Sequence, residues 1–187
     1  MSLTTLDIKE PGLNTLPPGV ERYVVEGGGL TGIQILPDDE IKIINNEGNQ
    51  LCEISAFNKD GKSDLAILGL KEIKENSEIK KILFKKDETS LQALLQLKKR
   101  NLNIEKSKSS LIFDKETKAG EIIKLKSKDK CYCIFAAPGE KMMVHEQNPS
   151  TELTVIVKRS VIKKDKEFSL IPDPIYDPSN EINIART

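Results

Sequence analysis

Short runs of β-branched and aliphatic residues, each closed by Gly, Pro, Asn or Asp, recur along most of this chain and limit it to folds built mainly from strands. Residues 22–25, 31–35, 40–44, 51–57 and 65–70 read as strands in the first third, and 110–113, 121–126, 131–137 and 152–159 in the second half. Within several of them the apolar residues fall at every second position. Ile41 and Ile43 share one face, Cys52, Ile54 and Ala56 share a face of the next run, and Leu153, Val155 and Val157 share a face of the last. Many short strands with regular turn signals point to a sandwich or barrel. Asn45-Asn46-Glu47-Gly48 reads as a hairpin turn joining the third and fourth strands, because Asn and Gly tolerate positive φ.

The period changes between Lys71 and Leu102. Ser90 to Arg100 reads as a helix, with Thr89 as N-cap, Gln92 completing a capping box, and Leu91, Leu94 and Leu95 as the buried stripe. Lys98, Lys99 and Arg100 suit its C-terminal end. Glu78 to Phe84 reads as a shorter helix or a strand. The expected fold is therefore mainly β, a β-sandwich or distorted barrel with a helical insertion around residues 72–102. Residues 1–18, with Pro11, Gly12, Pro17 and Pro18, read as an extended arm, 19–168 as the β-sandwich domain, and the proline-bearing 169–187 as a linker or tail toward a possible further domain.

Composition excludes several classes. No stretch approaches the roughly 18 apolar residues of a membrane helix, and Asp7, Lys9 and Glu10 occupy the place of an apolar signal segment, so the chain reads as cytoplasmic, with no membrane partner. Net charge is zero, yet residues 1–70 carry −6 and residues 71–130 carry +7. The basic block alternates lysine with glutamate and nearly lacks aromatics, so it reads as a solvated helical surface and no nucleic-acid partner is expected. Gly27-Gly28-Gly29 reads as a mobile turn, since no strand-turn-helix unit of the dinucleotide type surrounds it. Asp38-Asp39-Glu40 reads as surface charge entering a strand.

Few residues could carry chemistry. Cys131 and Cys133, two apart on a strand, direct both thiols to one face and are the weak candidates for a soft metal, with His145 as a possible third ligand. Strand cysteines so spaced are more often small core residues, and no metal is expected. Cys52 is read as core, because the adjacent Glu53 points to the opposite face of its strand. His145, the single histidine, stands on a loop where binding groups collect, and with Glu53 it is a weak candidate for catalysis. Walker, HExxH, GxSxG and EF-hand signatures are absent.

The runs GIQILPDDEIKIINNEGNQLCEISAFN (32–58) and FAAPGEKMMVHEQNPSTELTVIVKR (135–159) resemble the urea carboxylase-associated family of β-sandwich domains. The shared core is a turn ending in Gly-x-Gln, then an acidic residue and Phe-Asn, here Gly48, Gln50, Glu53, Phe57 and Asn58. Glu53 stands where the family usually has Asp, and the cysteine segment of its catalytic members is not seen. Because they fall in the resembling segments, Gln50, Glu53, His145 and Thr151 are the candidate ligand-binding set. The resemblance implies a non-catalytic or small-ligand-binding β module of a multidomain, glycine-cleavage T-like (aminomethyltransferase-like) protein of one-carbon and amino-acid metabolism. Its partners would be neighbouring domains or a homo-oligomer, and its ligand a small amino-acid or urea-like compound. No cofactor is expected in the module, folate being implied only for the absent aminomethyltransferase domains. The alternative is a deiminase-type carbon-nitrogen hydrolase acting on a urea or guanidine compound.

Overall fold

The computed structural model describes residues 16–72, 77–139 and 150–160, and the backbone of 182–184. Among the described residues, nine strands form two antiparallel sheets. The first is ordered β1 (Val20–Val25), β8 (Leu153–Lys158), β3 (Glu40–Asn45), β6 (Glu121–Lys126). The second is ordered β5 (Ser110–Phe113), β4 (Cys52–Phe57), β7 (Cys131–Ala136), β2 (Leu30–Ile35), β9 (Ile182–Ile184). This is the expected mainly-β sandwich. The expected strand boundaries hold to within two residues for β2 to β8, because regular alternation and turn residues mark them locally. Among the described residues, no helix is long and apolar enough to cross a membrane.

The chain changes sheet at nearly every connection. β1 to β2, β2 to β3, β3 to β4, β5 to β6, β6 to β7 and β7 to β8 all cross from one layer to the other. The segment Asn45–Gly48 is therefore not a hairpin: β3 pairs with β6 and β8, while β4 pairs with β5 and β7. Its turn chemistry is nonetheless as expected, with Gly48 at φ 80 and Asn49 at φ 56. Asn45 fixes the corner by accepting from the Gly48 amide at 3.0 Å and donating to the Gln50 carbonyl at 2.8 Å. A side chain at Gly48 would also meet the Ala119 nitrogen at 2.6 Å. Such a corner and a hairpin share their residues, and only the partner of each strand distinguishes them.

Between the sheets lies one apolar core. Val25, Ile41, Ile43, Val155 and Val157 from the first sheet pack on Ile33, Ile35, Ile54, Cys133 and Phe135 from the second. Each large side chain so buried contributes about 1.5–3 kcal/mol. A second cluster covers the outer face of the second sheet, where Leu30, Phe57, Tyr132, Ile134 and Ala136 meet the helical insertion. β4 and β7 are thus buried on both faces, which explains the unbroken apolar run of Cys131–Ala136.

The insertion holds α1 (Glu78–Leu83) and α2 (Glu88–Lys99), each started by a side-chain cap, Ser77 and Asp87. Asp87, not Thr89, caps α2, its Oδ1 accepting from the Ser90 amide at 2.7 Å. The buried face of α2 is Ser90, Ala93 and Leu97, and the expected stripe fails at two of its three leucines: Leu91 and Leu95 are 51% and 59% exposed, while Leu94 packs partly buried. Starting the helix at Glu88 sets the rotation, and the small Ser90 and Ala93 let it lie close over α1 and the sheet. The Ser90 hydroxyl donates to the Ile82 carbonyl, and the Arg100 guanidinium sits 5.7 Å from the Tyr132 ring centroid. Residues 65–70, read as a strand, begin instead with a 3-10 turn, Leu65–Leu68. Asp64 caps its start and Gly69, at φ 71, ends it.

Candidate functional site

At one end of the sandwich the loops after β1, β7 and before β8 converge on Gln50. Its Nε2 donates to the carbonyls of Leu51 and Pro138, each at 3.0 Å, and its Oε1 accepts from the Thr151 amide at 2.7 Å. Gln50 and Thr151, both from the resembling segments, are thus brought together, with Gln50 spending its amide on backbone. The glycine run belongs to the same end and is pinned rather than free. The Gly28 amide donates to the Ala137 carbonyl at 2.6 Å, and the Ala137 amide donates to the Gly29 carbonyl at 3.1 Å. Gly27 packs against the Ser150 carbonyl with no room for a Cβ. Its glycines serve close backbone approach, for which a phosphate loop and a loop-loop contact leave the same sequence signal.

Glu53 leaves β4 on the face opposite Cys52, as the strand parity requires. It is 4% exposed and turned to the helical layer, where Oε2 accepts from the amides of Glu78 at 2.5 Å and Ile79 at 3.3 Å. A carboxylate there satisfies amides that the first turn of α1 leaves unpaired. Its other oxygen, Oε1, and the Thr151 hydroxyl are buried without a hydrogen-bond partner among the described residues. His145 lies outside the described residues.

All three cysteines are buried thiols facing the core between the sheets. Cys131 and Cys133 point the same way, with their sulfurs 3.6 Å apart and the Ser127 hydroxyl 3.5 Å from Cys131. The hydrogen bond from Cys133 lowers the Cys131 thiol from its ordinary value, while that bond and burial raise Cys133. Burial raises Cys52 as well, with the Glu53 charge adding to it. No group of three His, Cys, Asp or Glu able to hold a metal occurs among the described residues.

The opposite end holds a polar cluster that sequence reading missed. Arg159 donates to Glu21 through Nε at 2.8 Å and Nη2 at 2.5 Å, and through Nη1 to Asp39 Oδ2 at 2.7 Å and the Gln34 carbonyl at 2.9 Å. Tyr23 donates its hydroxyl to Glu21 at 2.6 Å. Asp39 also accepts from the amides of Leu36 and Ser160, both at 2.9 Å. Asp39 is fully buried, which corrects its reading as surface charge. The missed signal was parity: 39 continues 41 and 43, 159 continues 155 and 157, and 21 continues 23 and 25, all on inward positions. Burial alone would lower the Arg159 pKa, and the two carboxylates raise it above the ordinary value. Burial and the Glu21 contact hold the Tyr23 hydroxyl above its own. This arrangement ties β1, the β2–β3 turn and β8 together, and it commits its charges to one another.

The class is accordingly an antiparallel β-sandwich module with a helical cap on one sheet and its polar groups gathered at the two sandwich ends. No family model matches the chain, so the urea carboxylase-associated resemblance gains no support there. The chain is similar to the trimethylamine-oxide aldolase of Ruegeria pomeroyi, at 34% identity over 178 residues. The match covers 95% of this chain and 22% of that protein, so the chain spans about a fifth of the relative's length.

Proposed function

We propose that this chain works as a β-sandwich module of a trimethylamine-oxide aldolase-type assembly, in which other polypeptide, in the same frame or separate, supplies the remaining machinery. The observation that carries this reading is the coverage: nearly all of this chain matches one fifth of the aldolase. Its polar groups support a positioning or small-ligand role. Gln50, Arg159 and Asp39 are committed to structural bonds, whereas the partnerless Glu53 Oε1 and Thr151 Oγ1 are the groups a small polar ligand could meet. Of the candidate set Gln50, Glu53, His145 and Thr151, Gln50 would then position the Thr151 backbone, and Glu53, Thr151 and His145 would meet the ligand. Any folate chemistry would belong to neighbouring aminomethyltransferase-like domains. No observation favours the hydrolase alternative, since Cys52 and Glu53 leave their strand on opposite faces.

An aldolase-type cleavage releases an aldehyde; from trimethylamine oxide, whose carbons are all methyl groups, that aldehyde would be formaldehyde, and atom balance then leaves one dimethylamine. The test is to isolate the native polypeptide or complex that carries this chain and to measure both products, beside the isolated 187-residue chain. Activity in the native assembly and none in the isolated chain is the expected pair of results. A native assembly that releases neither product would overturn the reading.

A further inference from the structure

The outer face of α2 has a pattern that the packing of the described residues leaves uncovered. Ser90, Ala93 and Leu97 turn inward, while Leu91 and Leu95, one turn apart, are 51% and 59% exposed. Glu88 and Lys98 continue the same stripe, so that positions 88, 91, 95 and 98 follow the 3-4-3 spacing of a coiled-coil seam. At 100° per residue the four lie within a sector of roughly 80°, on the side away from the buried residues. Read along the helix, the order is acid, leucine, leucine, base.

That order is self-complementary about a two-fold axis between the paired helices, level with position 93. Two helices paired antiparallel set Leu91 of one copy against Leu95 of the other, twice, and set Glu88 against Lys98 at both ends. Asp87, the cap, then approaches Lys99. A parallel pair would instead bring Glu88 onto Glu88 and Lys98 onto Lys98. Antiparallel pairing also opposes the two helix dipoles. A two-fold contact needs this kind of patch, one that is complementary to itself.

We propose that the exposed face of α2 is a homodimer contact, in which two copies of this chain pair their α2 helices antiparallel through Leu91 and Leu95, with Glu88 and Lys98 setting the direction. The inference is independent of the aldolase reading. A helix of 12 residues with two leucine layers buries less than a standard interface, so the dimer is weak and fills only at high concentration.

The test is sedimentation equilibrium of the 187-residue chain over a concentration series, with circular dichroism of each variant as the folding control. Wild type is expected to dimerise, and the pair Leu91→Glu with Leu95→Glu to stay monomeric. Glu88→Lys alone and Lys98→Glu alone each place like charges at both ends and are expected to raise the dissociation constant about tenfold. An equimolar mixture of these two single variants, or both changes in one chain, brings opposite charges together again and should recover the wild-type constant. A wild type that remains monomeric at millimolar concentration overturns the proposal. So does a dimer indifferent to the leucine changes, or a mixture that fails to recover.

Discussion

The Nη1 group of Arg159 lies 2.7 Å from Oδ2 of a fully buried Asp39, and this contact closes one end of the sandwich. Removing one member leaves the other charged and deprived of its partner inside the protein. Asp39→Ala and Arg159→Met are each expected to lower unfolding free energy by about 3 kcal/mol, measured by urea denaturation. Losses under 1 kcal/mol for both would mean that the cluster is solvated and loose.

Stability should also fall at alkaline pH. Tyr23 and Cys52 are held above their ordinary values of 10.0 and 9.0, in each case first by burial. Above those ordinary values the unfolded chain loses the protons while the folded chain keeps them. The contribution is therefore fully present below pH 9 and drains away as pH rises toward the raised values. Each group subtracts up to about 1.4 kcal/mol per pH unit in that window. Denaturation midpoints from pH 8 to 11 should show the decline, and Tyr23→Phe should make it shallower above pH 10. A midpoint that climbs across this range is incompatible with the assignment.

Gln50 offers a substitution whose sign depends on donor chemistry. Its Nε2 faces two carbonyls, of Leu51 and Pro138, and its Oε1 accepts from the Thr151 amide. Gln50→Leu leaves those groups unpaired and should cost about 2 kcal/mol. Gln50→Glu puts a carboxylate oxygen against the two carbonyls and should cost more, despite its near-identical shape. If Gln50→Glu proves the milder change in thermal melts, the amide is oriented the other way round.

Glu53 serves the start of α1, so its removal should be felt locally. Glu53→Ala is expected to speed hydrogen exchange at the amides of Glu78 and Ile79, which now donate to Oε2, while the amides of β3 and β8 keep their protection. Equal acceleration throughout the protein would show that Glu53 supports the whole sandwich and not one helix.

Native thiol accessibility supplies a last check on the core. Cys52, Cys131 and Cys133 are 0%, 3% and 0% exposed, so a thiol-reactive probe should label none within minutes in buffer and all three in denaturant. Rapid labelling of Cys131 without denaturant would place it at the surface.

Strand positions were legible in the sequence because period-2 alternation and turn residues act over a few neighbours. The same alternation gave the shared face of Cys131 and Cys133 and the opposed faces of Cys52 and Glu53. The same parity places Arg159 and Asp39 inward, but a charged residue at a strand end or turn is usually solvated, so alternation alone does not announce their burial. The candidate polar set was partly legible too. Gln50 and Thr151 do meet, but through a side chain bonded to backbone, which no spacing of 101 positions announces.

The sequence by itself determined that this chain makes short strands, a capped helical insertion and a buried thiol pair, since those depend on local pattern and residue chemistry. Tertiary structure alone decided which strand lies beside which. β3 and β4 look like a hairpin and part into different sheets, because β8 and β7 offer them better-matched apolar faces from more than 70 positions away. The rotation of α2 was decided in the same way: its small inward residues fit the underlying layer, and that fit turned Leu91 and Leu95 outward.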